Sequence, residues 1–402
     1  VEPKEAISDG DAARLIADTI AMLETEARLF GELPYDRYLI QLHLSHRGRG
    51  GLEHMSSTTL LASPTAFHTR DAYLDLLSLV AHEVFHAWSV KRIRPSGLWP
   101  YAYERENYTR LLWWFEGGTS YYDWRILRLS GRATLTEYLA HLADEIAYLD
   151  HTPGRLVHSL EEASFDAWIK LYRPDENSPN SSVSYYRKGE VVCALLDIEI
   201  RHRSGGRASL DEVMRHLWTA YGKPGRPVPE EGMQALFEEV TGVSLGDLFG
   251  GWIRGTEDLP YERVLALAGL RLDRTSRADA PPVSLGARLR SEGGRIFVAN
   301  VQRDAAAQRA GIDPGDELIA IDGRRVESTS LDGLFAGRSP GDSADVVVAR
   351  DGRLLTRSVA LDPPRRDKVK IVPLADATPE QRALCTHWLR ETPPAWTSVG
   401  AG

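Results

Sequence analysis

The run Leu74-Asp75-Leu76-Leu77-Ser78-Leu79-Val80-Ala81-His82-Glu83-Val84-Phe85-His86 constrains this chain more than any other. Apolar residues recur at three and four through Leu74, Leu77, Val80, Val84, Phe85 and Trp88, the spacing of a helix with a broad buried face. His82 and His86 then lie one turn apart on the same face, so a fold that buries this helix sets two imidazoles side by side. Both can reach one ion, and Glu83 stands beside the first of them. A catalytic zinc takes three protein ligands and keeps an open position, and a neighbouring Glu can take a proton from the water activated there. The pentapeptide alone also fits two helix histidines and a surface Glu.

A third ligand would decide between these. Glu104, Glu106 and Glu116 follow the helix, and Glu116 sits in an aromatic run, Leu112-Trp113-Trp114-Phe115-Glu116-Gly117-Gly118. A carboxylate buried there needs a partner, either a metal or an ion pair with Lys91 or Arg92. Lys91, Arg92 and Arg94 can instead cap the carboxy end of the helix, where cations are favoured.

Along the chain, residues 10–255 read as mainly helical, with a strand at 37–44 that leads into the glycine-rich stretch 48–51. After Thr256 the pattern changes to short β-type runs, 294–298, 317–321 and 345–349, with Asp322-Gly323 and Asp351-Gly352 marking tight turns. The expected division is a helical domain over 1–258, a β-rich domain over 259–364 with its core at 284–361, and a linker and helix over 365–402. Acidic residues outnumber basic ones by 57 to 48 and no basic run interleaves with aromatics, which argues against nucleic acid as a partner. Cys193 and Cys385 lie in separate apolar contexts, which predicts two core residues. No run reaches the ~20 apolar residues of a membrane span. The expectation is a soluble protein, its compartment left open between cytoplasm and periplasm or exterior.

His82-Glu83-x-x-His86-x-Trp88, then Lys91-Arg92-Ile93-Arg94-Pro95, Trp114-Phe115-Glu116-Gly117-Gly118-Thr119-Ser120-Tyr121-Tyr122 and Tyr185-Tyr186-Arg187-Lys188-Gly189, together resemble the glycyl aminopeptidase family of gluzincin metallopeptidases. The resemblance implies a thermolysin-like catalytic domain holding one Zn2+ on His82, His86 and Glu116. It implies Glu83 as general base and Tyr186 as donor to the oxyanion. Gly50-Gly51-Leu52-Glu53-His54 is similar to the segment whose Glu receives the substrate's α-amine, which makes Glu53 and Gly51 candidate substrate contacts on a strand-end loop. Family members carry a β-rich domain before the core, and this chain opens close to the core.

Residues 284–361 resemble a circularly permuted PDZ domain, on Ser284-Leu285-Gly286-Ala287, Ala305-Ala306-Ala307-Gln308-Arg309-Ala310-Gly311 and Asp313-Pro314-Gly315-Asp316-Glu317-Leu318-Ile319. In such domains the Leu-Gly loop offers backbone N–H groups to a peptide's terminal carboxylate, so Leu285 and Gly286 are candidate contacts. A mere packing partner for the peptidase fits equally well. The expected fold is thus α+β and multidomain. The expected function is removal of small N-terminal residues, Gly or Ala, from peptides with a free amino terminus; an endopeptidase and an inactive PDZ-bearing scaffold are the alternatives.

Overall fold

The computed structural model describes residues 1–3, 7–276, 281–364, 366, 368–393 and 396. Residues 277–280, between the helical body and the β-rich region, and the parts of the terminal segment not named, lie outside the described residues. Helix α1 (Asp9–Phe30) starts where the Ser8 hydroxyl accepts from Asp11 N and stops at Gly31, whose φ of 86° a side chain would resist. Strands β1 (Leu39–Leu44), β2 (Gly50–Glu53) and β3 (Ser57–Ala62) form one sheet in the order β1-β3-β2, with β1 parallel and β2 antiparallel to β3. The expected loop around Glu53 is therefore an edge strand: Gly50 and Gly51 pair with Leu61 and Leu60, and Glu53 closes the strand opposite Thr58.

The helical body comprises α2 (Arg70–Phe85), α3 (Leu112–Phe115), α4 (Gly117–Leu129), α5 (Leu135–Asp150), α6 (Leu160–Phe165), α7 (Ser178–Ser181), α8 (Tyr185–Arg203), α9 (Leu210–Leu217), α10 (Met233–Thr241), α11 (Gly246–Leu248) and α12 (Tyr261–Leu267). Trp88, Trp113, Trp114, Phe115, Tyr121 and Tyr122 are buried at its centre. The glycines of the two aromatic motifs explain why α4 and α8 come so close. A Cβ on Gly117 would stand 2.6 Å from Gly189 Cα and 2.5 Å from the Tyr185 carbonyl oxygen, so the two backbones touch there. That contact draws Tyr185 and Tyr186 toward Glu116.

Strands β5 (Ala287–Glu292), β6 (Arg295–Val301), β7 (Glu317–Ile321), β8 (Arg324–Arg325), β9 (Ser343–Arg350) and β10 (Arg353–Ala360) make the second sheet, in the order β10-β9-β7-β6-β5 with β8 on β7. Helices α13 (Ala306–Arg309) and α14 (Asp332–Phe335) cover it. Both predicted turns are two-residue hairpins with positive φ throughout, 49° and 75° at Asp322-Gly323 and 50° and 75° at Asp351-Gly352. Val298, Leu318, Val346 and Val348 belong to a core of its own.

Packing departs from the sequence division at 258 and 364. Strand β4 (Leu270–Thr275) pairs antiparallel with β11 (Lys368–Pro373), and both join α12 and the last helix, α15 (Pro379–Leu389), in the core of the helical body. Trp388 Nε1 donates to Tyr121 Oη at 2.9 Å, and Cys385 is buried beside it, as Cys193 is on α8. The strands are too short and too evenly mixed in polarity for their partner to be read from sequence. Asn180 on α7 fastens the two parts together, donating to Val301 O at 2.7 Å and accepting from Arg303 N at 2.9 Å. Among the described residues no helix is long and apolar enough to cross a membrane.

Candidate metal centre and catalytic cleft

At the carboxy end of α2, His82 Nε2 and His86 Nε2 lie 3.3 and 3.2 Å from the same oxygen of Glu116, and the three ligand atoms fall within 4.8 Å of one another. Glu116 occupies the break between α3 and α4, with φ −114° and ψ −53°. The opposite ring nitrogens are already committed. His82 Nδ1 donates to Asp123 at 3.0 Å, and His86 Nδ1 donates to the Ser89 carbonyl at 2.6 Å. Those bonds fix both tautomers and aim both Nε2 lone pairs at one point. Asp123, on α4 about two turns beyond Glu116, is itself held by the Ser78 hydroxyl at 3.1 Å.

The electrostatics suit a cation. Burial works to raise the Glu116 carboxyl, but His86 and His82 outweigh it and hold the group down to about 2, so it is ionised. Burial likewise opposes a charged His82, yet hydrogen bonds to Asp123 and Glu116 raise its pKa well above the ordinary imidazole value. Two enclosed carboxylates facing two imidazoles need protons or a divalent ion to balance them. The donor set, two imidazole nitrogens and one carboxylate oxygen, fits zinc. His141, Glu145 and Glu190 form a second cluster, but there Arg187 already pairs with Glu145 at 2.8 Å.

Glu83 is 5% exposed, and its Oε2 is buried with no hydrogen-bond partner among the described residues. Burial raises its pKa, against the pull of His86 and His82. Gly51 of β2 packs directly on it: a Cβ there would come 2.2 Å from the Glu83 carboxyl carbon. Gly51 thus bounds the space of the candidate base.

Tyr186 lies with its ring 6.2 Å from that of His82, stacked on Tyr185 at 4.7 Å. Its hydroxyl is 3.4 Å from that of Tyr172, a residue sequence reasoning passed over because an exposed tyrosine between α6 and α7 carries no spacing signal. Burial, then Glu116, pushes the Tyr186 phenol well above its usual pKa.

Glu53 accepts from Lys91 Nζ at 3.3 Å, the two side chains 19% and 13% exposed. Lys91 therefore serves Glu53 rather than Glu116. Arg92 donates to the Ala87 and Met55 carbonyls and Arg94 to those of Val90 and Lys91, acceptors in the turns beyond α2 and between β2 and β3 rather than the carbonyls of the helix's own last turn. Far along the chain, Leu285 is buried and the Gly286 N–H donates to the Ser284 hydroxyl at 3.0 Å. Gly286 has φ 68° and no room for a Cβ, which would meet that of Ala305 at 2.1 Å. Strand β5, which follows, is an outer strand of its sheet.

Residues 75–192 match the M61 glycyl aminopeptidase family and residues 283–361 match the PDZ domain. The crystal structure of an aminopeptidase N family protein from Idiomarina loihiensis superposes with a TM-score of 0.87 at 30% identity, over 95% of this chain and 67% of that one. The chain belongs to the M61 glycyl aminopeptidase family. This M61 member is also similar, over 61 residues at 42% identity, to a zinc metalloprotease of Mesorhizobium japonicum, and over 68 residues at 35% to a Do-like HtrA serine protease of Lactobacillus helveticus. The chain spans 16% of the length of each of these two curated relatives. The M61 family is one of metallopeptidases, and the helical body followed by a β-rich PDZ region gives this member a mixed α+β architecture.

Proposed function

We propose that this chain is a zinc-dependent aminopeptidase in which His82, His86 and Glu116 hold one ion. The observation that carries the reading is the convergence of three donors on one point, with an unpartnered oxygen of Glu83 enclosed beside them. When bound, zinc supplies Lewis-acid polarisation of the scissile carbonyl and lowers the pKa of water. Glu83, its pKa raised by burial, takes the proton from the attacking water and returns it to the leaving amine. Tyr186 stays a neutral phenol and donates to the oxyanion, where a single donor is worth about 3 kcal/mol in a dry site. Glu53, at the end of an edge strand, receives the free amine of the peptide, and its charge-assisted bonds set the requirement for an unblocked terminus. The family's description makes glycine the first residue to test, with alanine, one methyl larger, beside it. Leu285, Gly286 and the free side of β5 are proposed to take a peptide's terminal carboxylate and strand.

The Lys91–Glu53 pair also favours a second reading, an endopeptidase, because the amine anchor already has a cation on it. Metal content, together with amino-acid release from free and N-acetylated Gly- and Ala-peptides before and after chelation, separates the two. About one zinc per chain and chelator-sensitive cleavage of free peptides supports the aminopeptidase. Equal cleavage of acetylated peptides would establish the endopeptidase instead.

A further inference from the structure

Tyr172 is placed against the usual habit of a surface tyrosine. It is 60% exposed, and such a side chain ordinarily lays its ring on the protein and turns its hydroxyl to water. Here the hydroxyl meets two others instead, 3.4 Å from that of Tyr186 and 3.5 Å from that of the buried Tyr185.

The backbone holds Tyr172 there from both sides. The turn that follows α6 closes with Tyr172 N donating to Ala167 O at 3.1 Å, with Ala167 buried and Leu171 packed on the main core. Beyond Tyr172, residues 173–184 run to the start of α8, and the PDZ region grips that stretch. Asn300 Nδ2 donates to Glu176 O at 2.8 Å, and Asn180 is tied to Val301 and Arg303. The Ser184 hydroxyl then caps α8 by accepting from Arg187 N, which sets Tyr185 and Tyr186 on the first turn. One stretch of chain, tied down in its middle, thus carries all three hydroxyls.

At 3.4 Å the two oxygens stand farther apart than the ~2.7–2.8 Å ordinary for O–H···O. Catalytic hydrogen bonds often tighten only once the substrate is bound. Tyr186 has one proton and cannot give it to both Tyr172 and an oxyanion, so the direction that serves the reaction runs from the Tyr172 O–H to the Tyr186 oxygen. As Tyr186 donates to the growing oxyanion, its own oxygen becomes more negative and the bond from Tyr172 strengthens. An interaction stronger in the transition state than before it raises kcat. We propose that Tyr172 is a positioning residue for the oxyanion donor: its hydroxyl donates to the Tyr186 oxygen, orients that phenol and leaves the Tyr186 proton for the substrate. This role rests on the one given to Tyr186 in the aminopeptidase reading.

The test is a double-mutant cycle on the zinc-loaded full chain, with Tyr172→Phe, Tyr186→Phe and the pair assayed on Gly-Ala-Ala and Ala-Ala-Ala. Phenylalanine keeps each ring, and bound zinc and thermal midpoint are read on every sample. Tyr186→Phe should cost about 100-fold or more in kcat. Tyr172→Phe alone should cost about 3- to 10-fold in kcat, the size of one neutral hydrogen bond, with KM held within about twofold. In the Tyr186→Phe background the same change should cost nothing, because no phenol is left to orient. A merely structural role would slow both backgrounds alike. An unchanged kcat for Tyr172→Phe, a loss carried by KM, or an equal loss in both backgrounds overturns the role of Tyr172 while leaving Tyr186 as the donor. A Tyr186→Phe enzyme within about threefold of the parent, or a zinc-loaded parent that cleaves neither peptide, overturns the reading of Tyr186 and the role of Tyr172 with it.

Discussion

Gly51→Ala isolates the position of Glu83, the proposed general base, from every other property of the site. The glycine is not among those with left-handed φ, unlike its neighbour Gly50 at 150°, so alanine meets no backbone strain. What it meets is Glu83, whose carboxyl carbon, Oε1 and Cγ would stand 2.2, 2.3 and 2.4 Å from the new methyl. Ordinary contact requires the carboxylate to retreat by about 1 Å, a misplacement of the size that costs on the order of 100-fold in rate. Stability should change little. The obstacle is the end of a flexible side chain, so an overpacking cost of about 1–3 kcal/mol is partly offset by the ~0.5–1 kcal/mol that alanine gains over glycine through the unfolded chain. The assay is kcat/KM alongside bound zinc and thermal midpoint, with Leu52→Ala, at a position 60% exposed, as the neighbouring control. A Gly51→Ala protein that holds zinc and works within about threefold of the parent would refute the role given to Glu83, since a misplacement of that size should cost about 100-fold.

Glu83→Gln should keep zinc and lose turnover by about 100- to 10,000-fold, measured by metal content and peptide hydrolysis on the same sample. Asp123→Asn exchanges the carboxylate that holds His82 for a neutral amide, a weaker acceptor, and should weaken zinc about 10- to 100-fold in a competition with a chromogenic chelator. Lys188 is 1% exposed with its ammonium on the Arg155 carbonyl, and burial pulls its pKa from 10.5 to about 8. Between those values the unfolded chain binds the extra proton, so the parent's stability should rise as pH climbs from 8 toward 10.5. Lys188→Met should remove that slope and stabilise the protein at pH 7 by up to roughly 3 kcal/mol, seen in denaturant midpoints across pH.

How much of this was legible beforehand differs by residue. The helix bearing His82 and His86 could be read because its period of 3.6 and its four-residue spacing are local. Glu116 could be singled out because an acid in an aromatic run demands a partner. The two hairpins of the second sheet were legible for the same reason, since Asp-Gly dictates a turn whatever surrounds it. By contrast, Asp123, Ser89 and Tyr172 act through contacts that spacing does not encode. Glycine content at 48–51 suggested a loop, whereas tertiary pairing with β3 made an edge strand of residues 50–53. The Lys91–Glu53 pair spans 38 positions and was invisible for that reason. The return of β11 and α15 to the helical core was hidden too, because a strand of mixed polarity does not announce its partner.

That return has a consequence for how the molecule is made. A ribosome delivers residues 1–275 first, then the whole PDZ region, and only afterwards Val369, Ile371, Trp388 and Leu389, which finish the core around Tyr121 and Leu270. At about 5–20 residues per second the nascent peptidase body waits several seconds with an open apolar seam, while the inserted sheet, whose core is separate, can already close. The last helix thus acts as a keystone set after the arch, and a chain halted before it would leave that seam exposed whatever the state of its metal ligands.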